Sequence, residues 1–467
     1  MRFEKFLFSV GVAAALAACG SAPTAKPPTM DVPAAFKEGL AFVKVNPQAA
    51  DVPDAWWTLF KDPVLNDLQD RLLKGNQTLA STAAAVGVAQ AAVASSRAGL
   101  FPTVGVSAGA NRTANVSTSP KGTSYTVQGS LSSWELDLWG RVAATVDAAD
   151  ARYQASRHTL AATRLSLQAT LAQTYFSLRA SDALAQVLTQ TVTAYTRSLD
   201  LTQNRYQGGV ASAADVAQAQ TQLKSAQAQL VEARLQRAQL EHAIASLLGQ
   251  APATVALAPP TVGELPAPPQ VPLQLPSTLL ARRPDIAAAA AQVAAANAQM
   301  GAADAAFLPA LTLSVNGGFR NNDLGSLIQA GNKFWSLGPT LAYALFDGGA
   351  RRAASDSARA SYDQTVASYR QAVLTALQEV EDNLIAASLL QEEMGLQQES
   401  LTSARRALDI AQNQYKAGTV SYLNVVTAQT TVLSAERSLL DVRNRRLAAV
   451  NQLLKNLAGR WEPLTPK

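Results

Sequence analysis

Cysteine is nearly absent from this 467-residue chain: Cys19 is the only one. A disulfide framework is excluded, and so is a metal cluster built on thiolates. Histidine is almost as scarce, with His158 and His242 placed in separate helical patterns. No P-loop or dinucleotide fingerprint appears. These absences leave little chemistry for an enzyme, so no catalytic residue, cofactor or metal is expected. The net charge of +5 is mild and spread along the chain. Without a basic stripe, nucleic acid is not expected as a partner. Beyond the N-terminus no segment has eighteen or more apolar residues free of charge, so no helix is expected to cross a bilayer. What is abundant is Ala, Leu, Gln and Ser, a composition suited to long helices packed through small side chains.

The first residues read as an export signal. Arg2 and Lys5 flank an apolar run from Phe6 to Ala18 that is too short to span a membrane. It closes as Leu16-Ala17-Ala18-Cys19-Gly20. Small residues followed at once by the only cysteine resemble a bacterial lipobox, with Cys19 the acylated first residue of the mature chain. An ordinary signal with an incidental cysteine is the alternative. Several acyl chains together anchor a protein stably. Gly20 is not the Asp that favours retention at the inner membrane, which points to the outer one.

Residues 19–55 are rich in Pro and Ala and read as a tether. Packed structure is expected from Trp56-Trp57. Asp62-Pro63 has the N-cap acceptor and first-turn proline of a helix start, with Val64, Leu65, Leu68 and Leu72 on one face. A second helix follows from Asn76 to Leu100. The period then changes from helical to two. Thr103–Asn111 and Tyr125–Leu138 each alternate apolar with polar residues, and the second slips phase near Trp134, which predicts a bulge. Leu311–Arg320 and Trp335–Leu345 alternate in the same way. Pro339 sits inside that fourth strand, which predicts a strand end or a bulge there.

Each pair of strands leads into a very long helical pattern, a glycine turn and a shorter helical pattern. The first set runs Arg141–Tyr206 and Ser212–Leu248, the second Arg351–Tyr415 and Ser421–Leu457. Pro102 aligns with Pro309, Tyr206 with Tyr415, Gly209 with Gly418, and Gln220 with Gln429, at an offset of about 207 to 209 residues. A tandem duplication is the economical reading. The expected organisation is a signal peptide at 1–18, the tether at 19–55, a first repeat at 56–249, a proline-rich linker at 250–282, a second repeat at 283–459 and a tail at 460–467.

About ten residues per strand is the length that crosses an outer membrane when tilted. Four strands cannot close a barrel, and open edges in lipid leave backbone groups unpaired. A barrel must then be shared between chains. Two soluble hairpins packed on helices are the alternative for the strands. Helices of about 65 residues are ~100 Å long and need neighbours along their length. A wall of helices accommodates them, as does a rod-like antiparallel coiled coil.

The turns carry definite helix-end chemistry. Arg205 suits a helix C-terminus, Gly208-Gly209 supplies a left-handed stop, and Ser212-Ala-Ala-Asp215 matches a capping box. The second copy is Tyr415-Lys-Ala-Gly418, then Ser421-Tyr-Leu-Asn424. Glu379, Glu381 and Asp382 read as a solvated helix face.

Taken in order, Leu16-Ala-Ala-Cys19, Trp56-Trp57 through Phe60-Lys-Asp62-Pro63, Arg283-Pro-Asp-Ile286, Gly338-Pro339, Phe346-Asp-Gly-Gly349, Tyr206-x-x-Gly209 and Tyr415-x-x-Gly418 resemble the outer membrane efflux proteins. These are the TolC-like exit ducts, and the lipobox matches their NodT-like lipoprotein branch. The resemblance implies an α+β membrane protein: a homotrimer with four strands per chain in a β-barrel, continued into a periplasmic helical barrel with an equatorial domain. It implies an outer membrane channel of a tripartite system, passively releasing small molecules delivered by an inner-membrane RND-type pump through a periplasmic adaptor. The adaptor would meet Tyr206, Gly209, Ser212, Asp215, Tyr415, Gly418, Ser421 and Asn424. Where relatives carry an Asp after a Tyr-Leu-x-Leu-Leu run, this chain has Thr427 after Tyr422-Leu-Asn-Val-Val426. Leu423 and Thr427 are the candidate gate, without an acidic ring. The alternatives are a duct for secreted polypeptides and a structural periplasmic lipoprotein with no channel.

Overall fold

The computed structural model describes residues 30, 31, 33, 36, 37, 53–113, 122–259, 265–269, 271 and 282–458. The signal segment, Cys19, most of the tether, residues 114–121, much of the proline-rich linker and the C-terminal tail lie outside the described residues.

The first element is a 3-10 turn at Trp56–Phe60, followed by α1 (Pro63–Gly75) and α2 (Gln77–Ala98). Then come β1 (Val104–Thr113), β2 (Gly122–Glu135), α3 (Arg141–Gln207) and α4 (Ala213–Leu247). After the linker the order recurs as α5 (Pro284–Ala305), β3 (Ala310–Asn321), β4 (Lys333–Ala342), α6 (Ala350–Lys416) and α7 (Tyr422–Leu457). Both long helices have 67 residues. The chain forms two compact units, one holding 84–159 and 286–372, the other 31–83, 160–285 and 373–467.

The first unit holds a four-stranded antiparallel sheet in the order β1-β2-β3-β4. Val104 pairs with Leu131, Leu131 with Val315, and Val315 with Leu337. Paired residues share a face, so the apolar phase of every strand falls on one side. On the edge strands that face is bare: Val106 is 82% exposed and Trp335 81%. The opposite face carries Ser107, Gln128, Asn316 and Ser336. The slip near Trp134 is a register shift between Leu131 and Trp134, with Ser133 at φ 41°. Pro339 departs from expectation. It lies opposite Leu313 in unbroken register, neither at an end nor at a bulge. β4 is an edge strand, where alternate amides point away from the ladder and a missing N–H is tolerated.

The sheet passes to the long helices through matching acidic caps. Asp137 accepts from the amides of Val142 and Ala143 at 3.0 and 2.7 Å. Asp347 accepts from Gly349 at 3.0 Å and from Arg351 at 3.3 Å, with Gly348 and Gly349 both at positive φ. The Phe346-Asp-Gly-Gly349 run is thus a turn plus a cap, its carboxylate satisfying amides that a helix start leaves unpaired.

The second unit has the main core. Trp56, Leu65, Leu68, Leu72, Phe176, Ile244, Leu453 and Leu454 are buried together, with Phe36 of the tether among them. Asp62 caps α1 as expected, accepting from Val64 and Leu65. Val64 itself is off the buried face and 37% exposed. The ends of α1 and α4 touch backbone to backbone. A side chain at Gly249, which has φ +68°, would come within 2.0 Å of the Gly75 carbonyl oxygen.

The Arg283-Pro-Asp-Ile286 motif resolves into an ion cluster. Arg283 donates to both oxygens of Asp285, at 3.1 and 2.7 Å, and to Glu379 at 3.0 Å. Lys455 also reaches Glu379, at 3.8 Å. Burial lowers the Lys455 pKa, against the pull of Glu379. Asp382 is exposed as expected, whereas Glu379 and Glu381 are half-exposed and partnered, Glu381 accepting from the backbone of Lys37. Their partners come from distant segments, which helical spacing does not reveal. A second buried network joins Arg179, Asp182, Arg237 and Glu241.

The expectation that no helix could span a bilayer does not hold for composition. Among the described residues α2 is long and apolar enough. Its apolarity comes from alanine and valine, and small residues suit close helix contact.

Candidate functional site

The paired turns that end α3 and α6 lie in the second unit. Each long helix stops the same way. At the first, Gly209 adopts φ +75°, the amide of Gly209 bonds the Tyr206 carbonyl at 2.9 Å, and that of Val210 bonds Arg205 at 2.8 Å. At the second, Gly418 adopts φ +77°, its amide bonds Tyr415 at 3.0 Å, and that of Thr419 bonds Gln414 at 3.0 Å. Glycine enters this left-handed stop without steric cost, and the orphan carbonyls are paired.

The helices that leave the turns start differently. Ser212 and Asp215 form the full capping box: Oγ of Ser212 accepts from the Asp215 amide at 3.1 Å, and Asp215 accepts from the Ser212 amide at 2.9 Å. The expected copy is not made. Ser421 occupies the N-cap of α7 but its side chain takes no capping bond. Asn424 presents a neutral amide where Asp215 presents a carboxylate, and the positive helix start favours only the latter.

The first turn of α7 is held by packing. Tyr422 is buried beside Tyr415, ring centroids 5.3 Å apart and planes at 60°. Around them lie Ala219, Ala411, Val425 and Val426. The Tyr422 hydroxyl is 3.0 Å from the Ser198 hydroxyl on α3. Burial raises the Tyr422 pKa, and the bond to Ser198 partly offsets this. Arg205 completes the link. Its guanidinium carbon lies 4.9 Å from the Tyr415 ring centroid, and Nη1 donates to the Lys416 carbonyl at 3.2 Å. Among the described residues the buried Tyr415 hydroxyl has no hydrogen-bond partner.

The predicted residues separate into two groups. Tyr206, Gly209, Ser212, Gly418, Ser421, Leu423, Asn424 and Thr427 are exposed, and Asp215 is half-buried. Tyr415 is not an outer contact: it is 6% exposed and packed inside the turn cluster. The aligned tyrosines are thus unequal, because only Tyr415 has a second aromatic seven residues on and a guanidinium above it. Thr427 donates to the Leu423 carbonyl at 3.0 Å, a bond inside its own helix. Arg205, Tyr422 and Ser198 were not singled out as linking residues. Tyr415 and Tyr422 flanking one turn was the available signal; nothing local marks Ser198.

A sheet with one bare apolar face and two long helical hairpins define a TolC-like outer membrane channel protein. The family model described as outer membrane efflux protein matches residues 68–250 and 275–459, and the chain belongs to that family. It is 33% identical over 468 residues to the probable efflux pump outer membrane protein TtgC of Pseudomonas putida, covering 98% of this chain and 96% of the relative. It is 32% identical over 458 residues to outer membrane protein OprJ of Pseudomonas aeruginosa, covering 97% and 95%. The solved outer-membrane channel OprN superposes with a TM-score of 0.86 at 29% identity, over 95% of this chain and all of the other. The protein is an outer membrane component of an efflux system.

Proposed function

We propose that three copies of this chain close a twelve-stranded barrel in the outer membrane and continue it as a periplasmic helical barrel. The duct passively releases small toxic molecules that an inner-membrane RND-type pump delivers through a periplasmic adaptor. The observation that carries this reading is the sheet. It has one apolar face and unpaired edges at β1 and β4. Lipid tolerates no open edge, and the four strands of one chain are too few to close a barrel. The apolar face would meet lipid and the Ser, Thr, Asn and Gln face the aqueous lumen. The recurring element order supports a tandem duplication, and the short helices contribute to an equatorial belt.

In this reading Cys19 carries the lipid, and Phe36 fixes the tether to the second unit. The exposed turn residues Tyr206, Gly209, Ser212, Gly418, Ser421 and Asn424, with Asp215, face the adaptor. Leu423 and Thr427 narrow the tip, and the Arg205–Tyr415 and Ser198–Tyr422 contacts hold the two hairpins together while it is closed. The test pairs a cysteine on β1 with one on β4. Oxidation should join three chains into one closed species, and loss of the protein should sensitise cells that carry the matched pump. Monomers after oxidation, with susceptibility unchanged, would overturn the reading.

A further inference from the structure

Among the described residues, the polar face of the sheet carries two charged side chains, Glu135 and Arg320. They lie at opposite ends. Glu135 stands where the strands lead into the long helices, and it is neutralised: Arg141 donates to both of its oxygens, at 2.9 and 2.5 Å. Arg320 stands at the far end, one residue before β3 closes. It is exposed, and among the described residues no acid pairs with it. Its rung holds Thr126 and then Gly109. The acid nearest in sequence, Asp323, is committed to its own loop. It accepts from the Gly325 amide at 3.2 Å and from the Ser326 hydroxyl at 2.7 Å.

Phe334 holds this cation. It is the one aromatic ring on the polar face among the described residues, opposite Gly318 on a face otherwise small or polar. The Arg320 guanidinium carbon lies 4.8 Å from its centroid. A planar guanidinium stacks on such a ring while its charge stays open to water. The ring therefore fixes the arginine beside the wall without neutralising it.

Closing the barrel gives the scale. Twelve strands spaced ~4.8 Å apart and tilted ~40° enclose a backbone radius of ~12 Å. With the guanidinium reaching inward from the wall, an ion on the axis lies about 8 Å from each of three copies, about one Debye length in physiological salt. Charges at that range favour a small anion over a small cation several-fold, and rings of arginine select anions in other pores.

We propose that Arg320, held by Phe334, sets the charge selectivity of the outer mouth. Three copies form a ring that favours anionic solutes and retards cationic ones in either direction. The ring rests on the barrel reading above and adds a filter to a sheet lumen that is otherwise neutral.

The test reads the mouth separately from the periplasmic tip. Intact cells display full-length protein with Ser336→Cys on the polar face, nearer the helices than Arg320, or Leu337→Cys on the apolar face. Rates are measured with two membrane-impermeant methanethiosulfonates, one sulfonated and one bearing trimethylammonium. Cys19 is the only native thiol, so the parent chain labelled in parallel accounts for any signal from it. Position 336 should react faster than 337. Arg320→Gln should lower the ratio of sulfonated to cationic rates at 336 by about three- to tenfold. Arg320→Lys should keep most of that ratio and Phe334→Leu should lose part of it. In about 1 M salt, where the Debye length is ~3 Å, parent and Arg320→Gln should converge. An unchanged ratio in Arg320→Gln, with 336 still faster than 337, overturns the ring and leaves the barrel standing. Equal rates at 336 and 337 overturn the barrel reading itself. If neither position reacts, the mouth is sealed and the ring has no traffic to select, which also overturns it. A ratio that Phe334→Leu leaves untouched removes the role given to that ring.

Discussion

The Arg205 guanidinium lies over the ring of Tyr415, 4.9 Å from its centroid, and ties the end of α3 to the end of α6. Such a contact is worth about 1 kcal/mol when half-exposed. Arg205→Ala and Tyr415→Ala should each lengthen the open dwell of single channels in planar bilayers. The double variant should fall short of the sum of the two by about that amount. Tyr415→Phe should behave as the parent, because the hydroxyl it removes has no partner among the described residues. Additive singles would show that the stacked pair is geometry without energy.

The two N-caps offer an internal control. Ser212→Ala removes a capping-box bond and should cost about 1 kcal/mol. Ser421→Ala removes none and should cost much less. Hydrogen exchange at the amides of Asp215 and Asn424 reads both. Equal deprotection at the two sites would contradict the asymmetry.

Tyr195 on α3 is buried, its hydroxyl without a partner among the described residues, and its pKa is pushed up to about 12 by burial first and then by Tyr422 and Glu436. From pH 10 to about 12 the unfolded chain releases a proton that the folded chain keeps, so stability falls across that window and is intact below it. Tyr195→Phe should leave the helical circular dichroism unchanged at pH 7 and raise the alkaline unfolding midpoint. A midpoint that stays put would assign alkaline loss to other groups.

Asp182 is 3% exposed and serves two arginines, Arg179 at 3.1 Å and Arg237 at 2.7 Å. Asp182→Ala leaves both cations in a half-dry site and should destabilise by about 3–5 kcal/mol, the range for breaking a buried ion pair from one side. Thermal unfolding of the detergent-solubilised protein would report it. A loss under ~1 kcal/mol would mean that water replaces the carboxylate.

Two neighbouring glycines on β3 should differ sharply. A side chain at Gly318 would approach the Val127 carbonyl oxygen to 2.1 Å and Gln128 Cα to 2.6 Å; at Gly317 its nearest contact would be 3.8 Å. Gly318→Ala should break β2–β3 pairing and abolish outer membrane assembly, while Gly317→Ala assembles normally. Assembly of both at parental levels would show that the sheet yields at this point.

Much of the frame was readable because it rests on periodicity and punctuation. Alternation located the strands, the phase slip at Trp134 announced its bulge, and Gly209 and Gly418 marked the helix ends. Contacts between distant segments were not readable. Glu379 looked like a surface carboxylate because its partners, Arg283 and Lys455, lie 96 and 76 residues away. Tyr206 and Tyr415 looked equivalent because alignment carries no information about what packs on each. Ser421 looked like a cap because its residue type is right; the neutral Asn424 was the one local sign that it is not.

The backbone contact between Gly75 and Gly249 has an electrostatic consequence. Both are the C-terminal ends of helices, so two partial negative charges abut. The chain answers with amide donors: Asn76 Nδ2 to the Leu247 carbonyl at 2.7 Å and Gln77 Nε2 to the Gly75 carbonyl at 2.9 Å. Arg71 adds a cation at the same place, bonding Gln250 at 2.8 Å. The Asn76 amide and the Arg71 guanidinium thus bridge the two like poles, while Gln77 caps the Gly75 carbonyl from its own segment. Removing the Asn76 amide leaves the Leu247 carbonyl without that donor where two partial negative charges meet, so the joint should loosen there first.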